Sequence, residues 1–405
     1  MKRTSKAKLS STEIAGLVEM VKDSTINVTD IAEELNRRIA EPPGLPSGPI
    51  RRTVGTISGM VYSMVRSITN LVGLGVEKSI LKLNPTVDSG LTVGNKEVLR
   101  SVLNGVLGDY LVNKNNPLAI PMQFRYQGEA IELNSDHIRS VYPKTGGEIL
   151  LIIHGLCMND VQWTRKNHNH GEQLAKELGL TPIYLYYNGG LHISENGKQL
   201  NALIEKLILS WPVPVEQLVL LTHSMGGLLA RSALYYGEKG RQQWIKCLSK
   251  ILFLGTPHHG APLERMGNYV DQFLDATPFT KPFSRLGKLR SPGITDLRFG
   301  NLVDEDWNTF DRFEKRIDER QHFPLPQNAR CYAIAAAIGK KEDAIKTRVW
   351  GDGLVPINSA LGIHPDPERC LNFHQDNTRT YYETSHLDLL SSRAIYEQIR
   401  GWVEE

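Results

Sequence analysis

The sequence contains few cysteines and no long apolar run. Its four cysteines, Cys157, Cys247, Cys331 and Cys370, are scattered over 405 residues without a CxxC pair. This spacing predicts reduced thiols rather than a disulfide framework. No stretch reaches the roughly 18 apolar residues that span a bilayer, and the basic start of the chain is not followed by the apolar core of a signal peptide. A cytoplasmic protein is therefore the expectation.

The chain also lacks an excess of charge of either sign. It has 47 Lys and Arg against 44 Asp and Glu, which gives a formal net charge of +3. Nucleic-acid binding requires basic residues clustered on one surface, and the sequence has no such cluster. We therefore expect no nucleic-acid partner. The absence of internal repeats and low-complexity segments indicates an ordinary globular chain, long enough to bury a sizeable core.

The first part of the chain, residues 1–116, differs in pattern from the rest, and we interpret it as a helical extension. Residues 11–21 and 28–39 have helical periodicity, and a proline-rich break follows. Between residues 57 and 72, apolar residues recur at three- and four-residue spacing, which places them on one side of a helix. Because arginines flank and interrupt this stripe, residues 51–80 could pack on the main domain, make peripheral contact with a membrane, or cover the active site.

From residue 117 to residue 405, predicted strands and helices alternate. Continuous apolar runs such as Glu148–His154 are typical of strands buried on both faces. Repeated βα alternation predicts an α/β protein with a mostly parallel, doubly wound sheet. The alternation stops between about 261 and 328, and so long an excursion predicts a cap or lid. The predicted strands are 122–126, 130–133, 148–154, 182–187, 217–221, 250–254, 331–338 and 370–374, and the predicted helices are 171–178, 197–211, 225–236 and 387–402.

One stretch combines a buried strand, a serine and a helix without any intervening loop. The apolar run Leu218–Leu221 leads through Thr222 and His223 into Ser224, and a helical pattern begins at Met225. A serine on such a turn is typical of a nucleophile elbow, which exposes the hydroxyl above the sheet edge. The turn demands small neighbours: glycine stands two residues after the serine, whereas threonine stands two residues before it, where glycine is usual. A buried serine on an ordinary βα turn is the alternative.

A serine hydroxyl needs a general base, and the base needs a carboxylate that orients it. Asp352 lies in a glycine-flanked loop after the predicted strand 331–338, and His386 lies in a loop before the last predicted helix. The order serine, acid, histidine is the order that a nucleophile elbow requires. Taken alone, Asp352 could be a turn residue and His386 a surface histidine. Their joint placement after Ser224 favours a Ser-His-Asp catalytic triad.

The loop after the predicted strand 148–154 is a candidate to form an oxyanion hole together with the residue after Ser224. Backbone N–H groups of this loop and of the residue after the nucleophile face developing negative charge in such sites. We assign these two donors to Leu156 and Met225. Gly155 either allows the backbone to approach the substrate or only supports a tight turn.

Several histidines accompany these residues. His154 and Gly155 beside the oxyanion loop, and His223 beside the serine, are candidates for substrate binding. His258 and His259 either line the pocket or bond a loop carbonyl. The pair His258-His259 and the pair His168 and His170 each lack a clear third ligand, so we expect no metal and no cofactor.

Five short motifs occur in a fixed order within about residues 120–405: His154-Gly155, Thr222–Gly226, Gly255–Gly260, Asp352–Pro356 and His386–Asp388. This set of motif blocks resembles that of lipases and related α/β-hydrolases. It is most similar to that of the bacterial esterase/lipase-type hydrolases grouped with the GPI inositol-deacylase-like (PGAP1-like) family.

The resemblance implies an α/β-hydrolase fold and hydrolysis of carboxylic esters through an acyl-enzyme, with Ser224 as nucleophile, His386 as general base and acid, and Asp352 as the carboxylate that orients the imidazole. The aromatic residues of the 261–328 insertion favour an apolar acyl group in a small-molecule ester. A thioesterase or amidase would use the same triad. A membrane-associated binding protein with a hydrolase fold is the alternative outside enzymes, and the sequence leaves the oligomeric state open.

Overall fold

The computed structural model describes residues 6–10, 12–13, 16, 87–261, 291–309, 317–341 and 351–405. These residues fall into two compact units that meet in the sequence between Ile120 and Pro121. The predicted helix 28–39 and the amphipathic stripe 57–72 lie outside the described residues, as does most of the predicted helix 11–21. The assignment of residues 1–116 as a helical extension stays a prediction.

The first unit contains an element that the sequence analysis did not predict. Strands β1 (Lys6–Leu9) and β2 (Val87–Thr92) form a two-stranded antiparallel sheet, and helix α1 (Val93–Asn113) follows directly. The amide of Asn104 on α1 donates to the carbonyl of Leu118 and accepts the N–H of Ile120. The strands escaped prediction because both are short, and the second contains Asp, Ser and Gly, which strands usually avoid.

The second unit is built around an eight-stranded sheet. Its order is β4-β3-β6-β5-β7-β8-β9-β10, with β3 antiparallel to both neighbours and every other pair parallel. The prediction of a mostly parallel sheet is confirmed. The strands are β3 Gln123–Tyr126, β4 Glu129–Ala130, β5 Glu148–Ile153, β6 Thr181–Tyr186, β7 Gln217–His223, β8 Leu248–Leu254, β9 Arg330–Ala336 and β10 Thr378–Tyr381.

Helices connect these strands and cover both faces of the sheet. They are α2 Ser135–Val141, α3 His170–Leu178, α4 Ile193–Ser210, α5 Met225–Lys239, α6 Trp244–Cys247, α7 Pro292–Asp296, α8 Ile357–Ala360 and α9 Arg393–Glu404. The chain moves from β5 to β6 in one direction across the sheet and from β6 to β7 in the other. Right-handed crossovers therefore place α3 and α4 on opposite faces, which makes the sheet doubly wound. Clefts for ligands form where the strand order reverses, here beside β5.

The core explains why the central strands were predictable. Residues Ile149–Ile153 on β5 and Leu218–Leu221 on β7 are completely buried. A strand covered on both faces must be apolar at every position, and such a run is visible in the sequence.

Two predicted elements are wrong in position. Residues 370–374 form no strand; Asn372 has a φ of 52°, outside the β region, and the eighth strand of the sheet is instead β10. This edge strand reads Thr-Arg-Thr-Tyr and is only half-buried, so it lacks the apolar run on which the prediction relied. The last helix begins at Arg393 rather than residue 387, because a separate 3₁₀ turn occupies Asp388–Leu390.

Parts of the predicted cap at about 261–328 pack closely on α4. The Trp307 ring stacks on His192 with centroids 3.5 Å apart, and the Asp296 carboxylate accepts the N–H of Ile193. Residues 262–290 and 310–316 lie outside the described residues, and the assignment of a cap stays a prediction. Among the helices that the structure describes, none combines the length and the hydropathy needed to cross a membrane.

Candidate active site

The turn between β7 and α5 has the strained geometry of a nucleophile elbow. Ser224 has φ 54° and ψ −126°, a region that residues with a Cβ rarely adopt. Its N–H donates to the carbonyl of Leu254 at 2.8 Å, which ties the turn to the end of β8. Such strain persists only where the surrounding structure fixes it, and here it lifts the serine out of the line of the strand.

Small neighbours make this turn possible. A Cβ on Gly226 would lie 2.6 Å from the carbonyl oxygens of both Ile153 and His154, so α5 approaches the end of β5 with no room for a side chain. Thr222 departs from the usual glycine, and the structure accommodates it by burying the side chain, whose hydroxyl donates to the carbonyl of Leu252 at 3.1 Å.

His386 and Asp352 form a close buried pair. His386 Nδ1 lies 2.6 Å from Asp352 Oδ2, and the other carboxylate oxygen accepts the N–H groups of Leu354 and Val355. Both side chains are almost fully buried, and these hydrogen bonds satisfy a carboxylate that would otherwise be costly to bury. Because an ionised carboxylate only accepts, Nδ1 carries the proton and Nε2 is left with a lone pair, as a general base requires.

The elbow and the His-Asp pair meet around Gly255, the residue after β8. A Cβ at Gly255 would lie 3.2 Å from both Asp352 Oδ2 and His386 Cε1, and the preceding residue accepts the N–H of Ser224. Segments that follow four strands, β7, β8, β9 and β10, therefore converge at one edge of the sheet. His386 Nε2 is buried and forms no hydrogen bond within the described part of the chain, and Ser224 is only 2% exposed.

The two residues predicted as oxyanion donors, Leu156 and Met225, each follow one of two residues that lie against each other, Gly155 and Ser224. Met225 begins α5, and the first N–H groups of a helix have no acceptor inside that helix. Leu156 lies in a turn closed by the N–H of Met158 and the carbonyl of Gly155, in which Cys157 has a φ of 57°. Gly155 is pressed against the elbow, since a Cβ there would lie 3.0 Å from the Ser224 Cβ.

His154 and His223 are both buried next to Gly155. The His154 ring stacks on Tyr187, and burial lowers its pKa to about 4. His223 Nε2 lies 3.1 Å from the backbone carbonyl of His386, and burial places its pKa well below the usual range. Both imidazoles are therefore neutral at physiological pH.

His258 and His259 line a different space. With Arg231 and Arg320 they border a cavity of about 10 Å³, room for a single water molecule. Burial places the pKa of His258 well below the usual range and lowers that of His259 to about 3. A larger cavity of about 450 Å³ lies between segments 322–331 and 367–377 and contains none of the predicted site residues. The role of these histidines in substrate binding stays a prediction.

Contacts that hold the His386 loop were not predicted from the sequence. The Asp388 carboxylate accepts the Ser385 hydroxyl at 2.6 Å and pairs with Lys166 at 2.8 Å. His170 Nε2 lies 2.9 Å from the carbonyl of Leu389. Lys166 and His170 lie more than 200 residues before the groups they contact, so no local pattern in the sequence indicates these two contacts.

The strand order, the turn at Ser224 and the positions of the loops after β5, β9 and β10 together decide the fold. This is an α/β-hydrolase fold. Residues 184–326 match the family described as the PGAP1-like alpha/beta domain. The resemblance predicted from the motif blocks is thereby confirmed. No curated protein sequence matches the chain.

Several solved structures are similar to this chain. The mature lipase BlEst2 of Bacillus licheniformis has a TM-score of 0.45 and 14% identity, with 70% of this chain and 98% of that chain covered. The Pyrococcus furiosus esterase Pf2001 has a TM-score of 0.38 and 14% identity, with coverage of 64% and 81%. The metagenomic carboxyl esterase MGS0156 has a TM-score of 0.37 and 15% identity, with coverage of 75% and 91%.

Proposed function

We propose that this protein is a serine hydrolase that cleaves carboxylic esters through an acyl-enzyme intermediate. The observation that carries the proposal is the convergence, around Gly255, of a strained serine turn and a buried His386–Asp352 pair held at 2.6 Å. Strain and buried polar pairs cluster at functional sites. A purely structural role would require neither a serine at φ 54° nor a buried imidazole whose second nitrogen is left without a hydrogen bond in the described residues.

In the first half of the proposed reaction, Ser224 Oγ attacks the ester carbonyl and its proton passes to His386 Nε2. The carbonyl oxygen becomes an oxyanion, which accepts hydrogen bonds from the N–H groups of Leu156 and Met225. His386 then gives the proton to the leaving alcohol as the C–O bond breaks. Asp352 keeps the imidazole in the required tautomer and stabilises its charged form.

In the second half, water attacks the acyl-enzyme. His386 accepts a proton from the water and returns one to Ser224 Oγ, which releases the carboxylic acid. The mechanism requires Oγ and Nε2 to approach each other when the substrate binds, since His386 Nε2 forms no hydrogen bond with any described residue. Catalytic hydrogen bonds are commonly long or absent without substrate and tighten in the complex.

Labelling with a fluorophosphonate, followed by mass spectrometry of the modified peptide, tests the proposed nucleophile. We expect modification of Ser224 in the unaltered chain, none in Ser224→Ala, and labelling slowed by 100-fold or more in His386→Ala, because the base removes the serine proton. Ser210→Ala is a matched control, since that hydroxyl donates to the Leu133 carbonyl. Labelling at another residue, or equal labelling of Ser224→Ala, would contradict the proposal.

The choice of ester rather than thioester or amide is part of the proposal, since all three share the triad. An apolar acyl group is favoured by the aromatic residues of the 261–328 insertion. Turnover of p-nitrophenyl esters of increasing chain length, compared with acyl-CoA and amide substrates, separates these activities. Labelling of Ser224 with no turnover of any of them would favour a binding protein that retains a hydrolase fold.

We further propose peripheral membrane contact through residues 51–80. The support is the apolar stripe between residues 57 and 72 together with its arginines. A lipid-facing segment beside an ester hydrolase would bring it to apolar substrates.

A further inference from the structure

The backbone of His386 is held at both of its polar atoms. Its N–H donates to the carbonyl of Asp352 at 3.1 Å, and its carbonyl oxygen lies 3.1 Å from His223 Nε2. The first contact comes from the residue that also holds the imidazole. The second comes from the residue immediately before Ser224, at the end of β7. A single side-chain hydrogen bond thus links the strand that carries the serine to the loop that carries the histidine.

We propose that His223 is a positioning residue that sets the distance between Ser224 and His386 by holding the His386 carbonyl. The inference rests on the proposed function and adds a residue to it. A misplacement of about 1 Å between reacting groups can reduce turnover about 100-fold. His223 is covalently joined to Ser224. Movement of the His386 loop away from the serine therefore stretches or breaks the hydrogen bond between His223 Nε2 and the His386 carbonyl.

The chemistry of the contact fixes the protonation of His223. A backbone carbonyl only accepts, so Nε2 carries the proton and Nδ1 has a lone pair. Nδ1 is buried without a hydrogen-bond partner in the described residues, and a Cβ on Gly155 would lie 3.2 Å from it. The ring is completely buried and lies edge-on to Trp163, with centroids 6.3 Å apart.

Neutrality of His223 also suits its position. Its ring centroid lies 4.6 Å from that of His386, which becomes positively charged in the proposed reaction. A charged His223 would oppose that step by repulsion at short range. Burial first, and then the nearby His386, Arg165 and His154, hold the pKa of His223 well below the usual range, although the hydrogen bond to the His386 carbonyl opposes the shift.

A merely structural role for His223 would consist of filling the space between Trp163 and His386. His223→Phe retains a ring of similar size and removes the donor, whereas His223→Gln can place an N–H near the former Nε2. We expect His223→Phe to lower kcat on a p-nitrophenyl ester about 100-fold with KM within about twofold. We expect His223→Gln to recover kcat to within about tenfold of the unaltered protein.

His170→Phe is the matched control. It removes a second buried histidine donor to the same loop, at the Leu389 carbonyl, and leaves both backbone contacts of His386 in place. We expect it to lower Tm while kcat stays within about threefold. Equal kcat in His223→Phe and the unaltered protein would overturn the proposal. So would a loss in His223→Phe that His170→Phe reproduces.

The imidazole ¹⁵N resonances of the unaltered protein give a second test, because they report the tautomer of His223 directly. We expect His223, identified by its loss in His223→Gln, to be the neutral Nε2–H tautomer at pH 7.5. The Nδ1–H tautomer would overturn the inference. Failure of the proposed function is distinguishable, because the unaltered chain would then show no fluorophosphonate adduct at Ser224.

Discussion

At the scale of single residues, the second unit buries an unusual set of neutral histidines. His154, His170, His223 and His258 are each almost fully buried, and burial is the first cause that lowers the pKa of each. A group whose folded pKa lies below its unfolded value binds more protons when the chain unfolds. Stability is therefore greatest above the unfolded pKa and is lost as pH falls toward the folded pKa.

His170 allows this effect to be measured. Its pKa is lowered from 6.5 to about 4, by burial and by the neighbouring His168, while the Leu389 carbonyl opposes the shift. We expect the free energy of unfolding, from urea titrations, to fall between pH 7 and pH 4, with His170 contributing on the order of 3 kcal/mol by pH 4. In His170→Gln this slope should be shallower. An identical pH dependence in the two proteins would refute the assignment.

The residues of the candidate site differed in how visible they were from the sequence. Ser224, Asp352 and His386 could be located because each follows a strand in the order that the fold requires. The contact between His223 and the His386 carbonyl could not, because it joins positions 163 residues apart through a backbone atom. The contacts of Asp388 with Ser385 and Lys166 were not predicted either.

At the scale of elements, α5 is the helix whose placement matters most for the site. Its first turn touches the carbonyl oxygens at the end of β5, and only the absence of a side chain at Gly226 permits this approach. By contrast, Gly401 lies in α9 with nothing within 4 Å of where its Cβ would be. Replacing these two helical glycines by alanine should therefore have opposite effects on stability.

Paired alanine substitutions test this difference. Gly226→Ala should destabilise the protein by about 2–4 kcal/mol, because a Cβ at 2.6 Å from two backbone oxygens forces β5 and α5 apart. Gly401→Ala should stabilise it by about 0.5–1 kcal/mol through helix propensity. Thermal unfolding of both variants beside the unaltered protein gives the comparison. A Gly226→Ala protein as stable as the unaltered one would show that the helix is free to shift.

Elements were predictable where burial is complete on both faces. The strands β5, β7 and β8 read as apolar runs and were found within one or two residues. The edge strand β10 was not found, because a half-buried strand of Thr, Arg and Tyr has no such run. The start of α9 was placed too early because the apolar residues Leu389 and Leu390 belong to a 3₁₀ turn.

At the scale of the whole molecule, the strand order explains where the site lies. The sheet reverses its direction of growth beside β5, and Gly155 and Ser224 follow two adjacent strands, β5 and β7. The alternation of strands and helices predicted this class of sheet, whereas the sequence could not show how tightly the loops at this edge meet. That convergence depends on side-chain contacts such as those around Gly255.

The proposed membrane contact through residues 51–80 is tested on the whole protein. We expect the full-length protein to float with vesicles containing anionic phospholipid, and substitution of Arg51, Arg52 and Arg66 by Glu to abolish flotation, because basic side chains bind the anionic surface. Arg379→Glu together with Arg393→Glu is the control, since both side chains lie in the second unit outside residues 51–80. Flotation that is absent, or insensitive to the triple substitution, would exclude this contact.

The parallel arrangement has one more consequence. The loops after β5, β7, β9 and β10 place the proposed site residues along one rim of the sheet, and neighbouring strands set their spacing. The order in which the chain visits the strands does not enter this geometry. A circular permutant opened at the β3–β4 hairpin would therefore keep all of these loops along the rim. An excised fragment would contain only some of them and would lack part of the proposed site.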